Sequence, residues 1–74
     1  MDANQIREIA GNAIARMRAH YGPNVWDYVN AETRKGWVSR AIVVDFATIA
    51  PDTPARDVAA VVSAADDMIE GNEP

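Results

Sequence analysis

The segment of residues 41–50 constrains the fold most, because it is apolar on nearly every side and carries a single charge. It reads Ala-Ile-Val-Val-Asp-Phe-Ala-Thr-Ile-Ala, and its one charged side chain is Asp45. The chain has 74 residues, and a domain near this size buries only about 60% of the surface that its unfolded form exposes. The segment is therefore expected to be the central element of a small core, a subunit interface, or a docking surface for another protein.

The β-branched run at residues 42–44 also permits a buried strand. No second strand is available to pair with it, and an isolated strand leaves its backbone N–H and C=O groups without partners. The pattern therefore favours a helix over about residues 31–49, which starts after Asn30 and ends before Pro51. Gly36 weakens this helix, so a break or a restart near it also fits the sequence.

Capping residues and apolar periodicity predict a long first helix and a short helical turn. The first helix covers about residues 3–21, with Asp2 or Asn4 as its N-cap and Gly22 at its end. The short turn covers about residues 23–29, and its tryptophan, Trp26, is expected to plug one end of the core.

The last helix covers about residues 54–70, with Thr53 as its cap, Pro54 at its first position and Gly71 after its last turn. The expected fold class is thus all-α, a small bundle of three main helices plus one short helix. One domain is expected over residues 1–74, with 72–74 as a frayed tail. The helix at 31–49 is expected to be the middle of the bundle, with its core face formed by Val38, Ile42, Phe46 and Ile49.

The charge distribution disfavours nucleic acid as a direct ligand. Net charge is −4; residues 1–51 hold six Lys/Arg and five Asp/Glu, whereas residues 52–74 hold one arginine and six acids. Such a chain gains little from phosphate contacts and counterion release. The apolar run is about half the length that a membrane span requires. The first residues lack a basic signal-peptide region and the chain has no cysteine, so the expected location is the cytoplasm.

The sequence offers little material for catalysis, and we predict neither an enzyme nor a bound cofactor or metal. It contains one histidine and no cysteine, and it has no nucleophile elbow or phosphate loop. His20 is expected to interact with the C-terminal end of the first helix rather than to act as a base. The acids Asp66, Asp67, Glu70 and Glu73 are expected to form a solvated face rather than to hold a cation. A weaker alternative is that this face meets a basic patch on a partner or mimics nucleic-acid phosphates.

Protein binding is the function that the sequence favours, with a homodimer through the helix at 31–49. Residues 43, 47 and 50 form a flank of small and apolar groups that suits close helix packing, either within the chain or between two copies. Trp and Tyr are enriched in binding hot spots. The candidate partner-binding residues are Trp26, Val43, Asp45, Phe46, Ala47 and Ala50.

Asp45 has two possible arrangements. In the first, which we favour, it lies on a narrow stripe that faces solvent. In the second it is buried and paired with an arginine of the first helix, Arg18 or Arg7, because burying an unpaired carboxylate costs several kcal/mol.

An alternative function is a DNA-associated transcriptional regulator that uses residues 31–40. Its candidate contacts are Arg34, Lys35 and Arg40, interleaved with Trp37, and the short preceding helix would complete a helix-turn-helix. The acidic balance of the whole chain argues against this alternative.

Overall fold

Four helices follow one another along the chain in the computed structural model, which describes residues 1–71. They are α1 (Ala3–Tyr21), α2 (Pro23–Tyr28), α3 (Ala31–Ile49) and α4 (Ala55–Glu70). The predicted all-α class, with three long helices and a short one, is confirmed, and no strand occurs among the described residues. The predicted frayed tail, residues 72–74, lies outside those residues.

Side chains cap the first turns of α1 and α3, as the sequence predicts. The Asp2 carboxylate accepts a hydrogen bond from the Gln5 backbone N–H at 2.8 Å, and the Gln5 side chain accepts one from the Asp2 N–H at 3.1 Å. The Asn30 side chain accepts one from the Thr33 N–H at 2.9 Å. These bonds satisfy N–H groups that have no partner within the helix, so local chemistry sets where both helices begin. α3 then runs through Gly36 without a break.

Glycines end α1 and α4 because the chain turns there through positive φ. Gly22 has a φ of 87°, and its N–H donates to the Arg18 carbonyl at 2.9 Å. Gly71 has a φ of 76° and donates to the Met68 carbonyl at 3.1 Å. Residues with a Cβ rarely adopt this region, so a side chain at either position would strain the backbone.

The predicted cap of α4 is wrong. The hydroxyl of Thr53 donates to the Ala50 carbonyl at 2.8 Å and does not cap the helix. Pro54, predicted to be the first helical residue, has an extended ψ of 141° and lies at the N-cap position without a side-chain hydrogen bond. The helix therefore starts at Ala55, one residue later than predicted. The hydroxyl has a carbonyl within reach in the preceding turn, and bonding there competes with capping.

α4, rather than α3, is the helix that packs most extensively against both other long helices. α1 and α3 contact each other over a smaller area, so the prediction that α3 is the middle of the bundle is wrong. The reason is that α4 has one continuous apolar face, whereas α3 carries apolar side chains on several sides. The buried core consists of Ala10, Ala13, Trp26, Val38, Ile42, Val61 and Ala65.

Three of the four predicted core positions of α3 face inward. Val38 and Ile42 are buried, and Phe46 packs against the core while partly exposed. Ile49 is 80% exposed, so its predicted place in the core is wrong. It lies in the last turn of α3, where a groove separates that helix from α1.

Candidate functional site

The second half of α3, residues 43–50, borders a groove on each side. One groove lies between α3 and α4 and has a volume of about 570 Å³. The other lies between α1 and α3 and has a volume of about 250 Å³. Phe46 and Ala50 line both, so this half of the helix is covered only in part by its neighbours.

The α3–α4 groove is apolar over most of its length. The flank that the sequence singled out for close packing, Val43, Ala47 and Ala50, forms its α3 wall. Val58 and Val62 contribute to its α4 wall. The structure thus brings the predicted flank to an open surface rather than under another helix of the chain.

Two adjacent apolar side chains stand exposed on this half of α3, and the first of them lines the groove. Val43 is 51% exposed and Val44 is 52% exposed, and both lie on α3. Val44 was not among the residues predicted to contact a partner. The signal that could have identified Val44 is its spacing of four residues from the polar residues Arg40 and Thr48. This spacing places all three on one side of α3, and all three are exposed. Exposed apolar groups grouped on one helix, rather than scattered singly, are typical of an interaction surface.

Asp45 bridges the α1–α3 groove through an ion pair with Arg16. Both side chains remain accessible, with 52% of Arg16 and 40% of Asp45 exposed. The observed arrangement has one element of each predicted arrangement. Asp45 lies on the accessible side of α3, as in the first, and it is paired with an arginine of α1, as in the second. The predicted partners, Arg18 or Arg7, were wrong: a helical wheel gives the face of each residue, but the level at which two helices meet selects the partner.

Trp26 belongs to the core and not to the exposed surface. It is only 7% exposed, so in this structure it plugs one end of the bundle and offers little area to a partner. Arg34 fixes it there: the Nε group of Arg34 donates to the Trp26 carbonyl at 2.7 Å, and its guanidinium lies 5.8 Å from the centre of the Trp26 ring. A second hydrogen bond from Arg34 reaches the Asp27 carbonyl at 3.1 Å.

Two of the three cations proposed for DNA binding have partners within the chain. Arg34 holds α2, as described above, and Lys35 forms ion pairs with Glu32, at 3.2 Å, and with Glu70 of α4. The Lys35 side chain is only 17% exposed. Arg40 alone is exposed and without an ion pair among residues 1–71. The described residues therefore give the DNA alternative no support.

Asp66 is a site residue that the sequence analysis placed elsewhere. Instead of lying on a solvated face, it lines the α3–α4 groove, where it is the only charged residue. Its Oδ1 atom is buried and has no hydrogen-bond partner. The available signal was the spacing of residues 55, 59, 62 and 66, which places Asp66 on the same stripe of α4 as Ala55, Ala59 and Val62.

Within residues 1–71, no helix is long and apolar enough to cross a membrane. No group of three or more His, Cys, Asp or Glu side chains there could hold a metal ion.

Comparison with known proteins gave no match for this chain, whether against protein-family models, curated proteins or solved structures.

Proposed function

We propose that this chain is a non-enzymatic protein-binding module, an adaptor, inhibitor or regulator, that self-associates through the second half of α3. The observation that supports this most is the exposure of Val43 beside the apolar α3–α4 groove, with Val44 exposed next to it in sequence. Burial of apolar area is the main driving force of protein association. An exposed apolar helix face beside a groove has the form of known helix-binding surfaces.

The small core gives a second reason. Three of its seven buried residues are alanines, and the largest fully buried side chains are Ile42, Val38 and Val61. Small domains often gain stability by oligomerisation. Each Å² of apolar surface that a second copy covers contributes about 25 cal/mol.

The size of the surface sets the expected affinity. Residues 36–50 span about 21 Å along the helix axis, and a helix is about 10 Å wide. This footprint is smaller than the area of about 800 Å² per partner that standard interfaces bury. We therefore expect a dissociation constant in the micromolar range or weaker.

Sedimentation velocity and light scattering over about 1 to 500 µM test the proposal, because this range brackets the expected dissociation constant. The average mass should rise from 8.0 kDa towards twice that value. A mass that stays at 8.0 kDa over the whole range contradicts the homodimer.

Val43→Glu is the variant that locates the interface. Val43 is half-exposed, so the monomer should fold normally, whereas a carboxylate in an apolar interface should weaken dimerisation at least about tenfold. Tyr28→Glu is the matched control, since Tyr28 is 90% exposed at the other end of the bundle. Phe46 is unsuitable because it packs against the core.

Circular dichroism of both variants reports whether the monomer stays folded. If Tyr28→Glu weakens dimerisation as much as Val43→Glu does, then the interface is not the second half of α3. If Val43→Glu unfolds the chain, Val43 contributes to the fold and its exposure is not that of a free contact residue.

A further inference from the structure

Two charged side chains without partners within the described chain lie beside the exposed face of α3. Arg40 is exposed on α3, one turn before Val43 and Val44. Asp66 lines the α3–α4 groove and has a buried oxygen that accepts no hydrogen bond. The rest of this carboxylate is only partly buried, and covering the groove with an apolar partner would bury it without a hydrogen-bond donor, which is costly for a charged group. An occupant that brings a hydrogen-bond donor to Asp66 is therefore favoured over one that does not.

The ion pair between Lys35 and Glu70 fixes the level of Asp66 relative to α3. α3 and α4 are joined by a short loop and run antiparallel. Asp66 lies four residues before Glu70 on α4, so it lies at the level of a residue about four positions after Lys35 on α3. Asp66 consequently lies at about the level of residues 39–40 of α3. Its place beside Val43 in the groove lining agrees with this register.

The accessible stripe of α3 has the spacing of a coiled-coil seam. Residues 36, 40, 43, 47 and 50 follow one another at alternating steps of four and three, which is the spacing of the two apolar positions of a heptad. Gly36, Ala47 and Ala50 are small, so the backbones of two α3 helices can approach closely. The first four residues of the stripe are exposed, and Ala50 is half-buried.

We infer that the occupant of the groove edge is the α3 helix of a second copy, parallel to the first, with Arg40 of each copy donating to Asp66 of the other. This inference rests on the proposed self-association. In a parallel pair in register, residue 40 of one copy arrives at the level of Asp66 of the other. In an antiparallel pair centred on Val43, residue 40 would lie about 10 Å further along α3, beside residue 46. The two Arg40 backbones then lie near each other across the symmetry axis, and the contact requires each side chain to extend away from that axis, towards Asp66 of the other copy.

A pair of opposite charge reversals, R40D and D66R, tests this contact. Each variant alone places like charges together at both symmetric contacts, so its self-association should weaken about tenfold or more. An equimolar mixture restores an opposite-charge pair at both contacts. The mixture should therefore form a heterodimer with an affinity within about threefold of the wild-type dimer. Native mass spectrometry distinguishes the heterodimer directly, since the two variants differ in mass.

The outcomes separate this inference from the proposed function. If the wild-type chain dimerises but the mixture shows no preference for the heterodimer, the Arg40–Asp66 contact is refuted and self-association stands. The same result follows if Arg40 pairs with Asp66 of its own chain. If the wild-type chain stays monomeric, the proposed function and this inference fail together.

Single cysteines test the orientation without relying on the charge variants. The chain has no native cysteine, and a Cβ at Gly36 meets no atom within 4 Å. A parallel pair brings each residue of the stripe close to its own equivalent, so Gly36→Cys and Ala47→Cys should each form disulfide-linked dimers under mild oxidation. In the antiparallel pair, the two copies of residue 36 would lie about 21 Å apart. Failure of both variants to cross-link while the wild-type chain dimerises overturns the parallel arrangement.

Discussion

The two halves of α3 differ in what covers them. The first half is packed by aromatic groups: the Trp37 ring stacks on the Tyr21 ring of α1 at a centroid distance of 3.8 Å, and Trp26 closes the end of the bundle. We refer to this region, around Tyr21, Trp26, Arg34 and Trp37, as the aromatic end. The second half of α3, residues 43–50, is bordered by two grooves, and no tryptophan or tyrosine is among the described residues that line them.

The difference shows that large aromatic side chains stabilise the first half of α3, whereas the second half, which lacks them, stays accessible. All tryptophans and tyrosines fall within residues 21–37, and such side chains fill the space between helices because each buries about 150–250 Å². The second half of α3 faces Ala13 of α1 and Ala55 and Ala59 of α4, which cannot fill the same space. One helix thus anchors the fold with one half and presents apolar surface with the other.

Trp26→Ala should have the largest effect, because it removes the plug of the aromatic end. We expect a loss of about 3–5 kcal/mol in the free energy of unfolding. A domain of this length has only about 4–11 kcal/mol in total. Urea unfolding followed by circular dichroism measures the change. Tyr28→Ala, in the same short helix but 90% exposed, should change stability by less than about 0.5 kcal/mol; equal losses for both would mean that Trp26 is not buried in solution.

The two halves of α3 can be compared by the same substitution, isoleucine to alanine, at Ile42 and at Ile49. Ile42 is 1% exposed and Ile49 is 80% exposed. Ile42→Ala should cost about 2–5 kcal/mol, whereas Ile49→Ala should cost less than about 1 kcal/mol. Urea unfolding at a protein concentration well below the measured dissociation constant gives both values for the monomer. A large loss for Ile49→Ala would show that the α1–α3 groove closes over it in solution.

Substitutions of Arg34 and Arg40 compare an arginine that stabilises the fold with one that does not. Arg34→Met removes two hydrogen bonds to carbonyls of α2 and should cost about 1–3 kcal/mol. Arg40→Met should leave the monomer within about 0.5 kcal/mol of wild type, since Arg40 is exposed and unpaired among the described residues. Thermal unfolding of dilute samples distinguishes the two, and a loss of stability in Arg40→Met would indicate a contact within its own chain.

The ion pair between Arg16 and Asp45 should have the smallest effect. Both side chains are about half exposed, and exposed pairs contribute about 0–1 kcal/mol. A double-mutant cycle with Arg16→Met and Asp45→Asn measures the coupling, which should decrease as salt rises. A coupling that stays above about 2 kcal/mol in high salt would mean that the pair is shielded from solvent, and therefore that the α1–α3 groove is closed.

Local chemistry made most of the fold predictable. The caps at Asp2 and Asn30 and the terminating glycines, Gly22 and Gly71, act within a few residues of sequence. Both ends of α1, the start of α3 and the end of α4 were therefore predicted correctly. The start of α4 was wrong by one residue, because the Thr53 hydroxyl had a choice between capping and the Ala50 carbonyl.

What could not be predicted depends on how the helices are placed against one another. A helical wheel gives the side of α3 on which Asp45 and Ile49 lie. The partner of Asp45 and the exposure of Ile49 depend instead on the height of α1 relative to α3 and on the distance between the two helices. The same holds for Asp66, whose burial follows from the α3–α4 groove. The flank at residues 43, 47 and 50 lines the α3–α4 groove, and its use by a second copy stays a prediction.

The aromatic cluster also determines what optical experiments on this protein can detect. Since both tryptophans and both tyrosines lie within residues 21–37, intrinsic fluorescence and near-ultraviolet circular dichroism report on one end of the molecule. Opening of residues 43–50 would leave tryptophan fluorescence unchanged, because the single aromatic side chain in that segment is Phe46. Backbone amide hydrogen exchange is the measurement that would reveal it, and it should show protection factors that fall along α3 from Val38 towards Ile49.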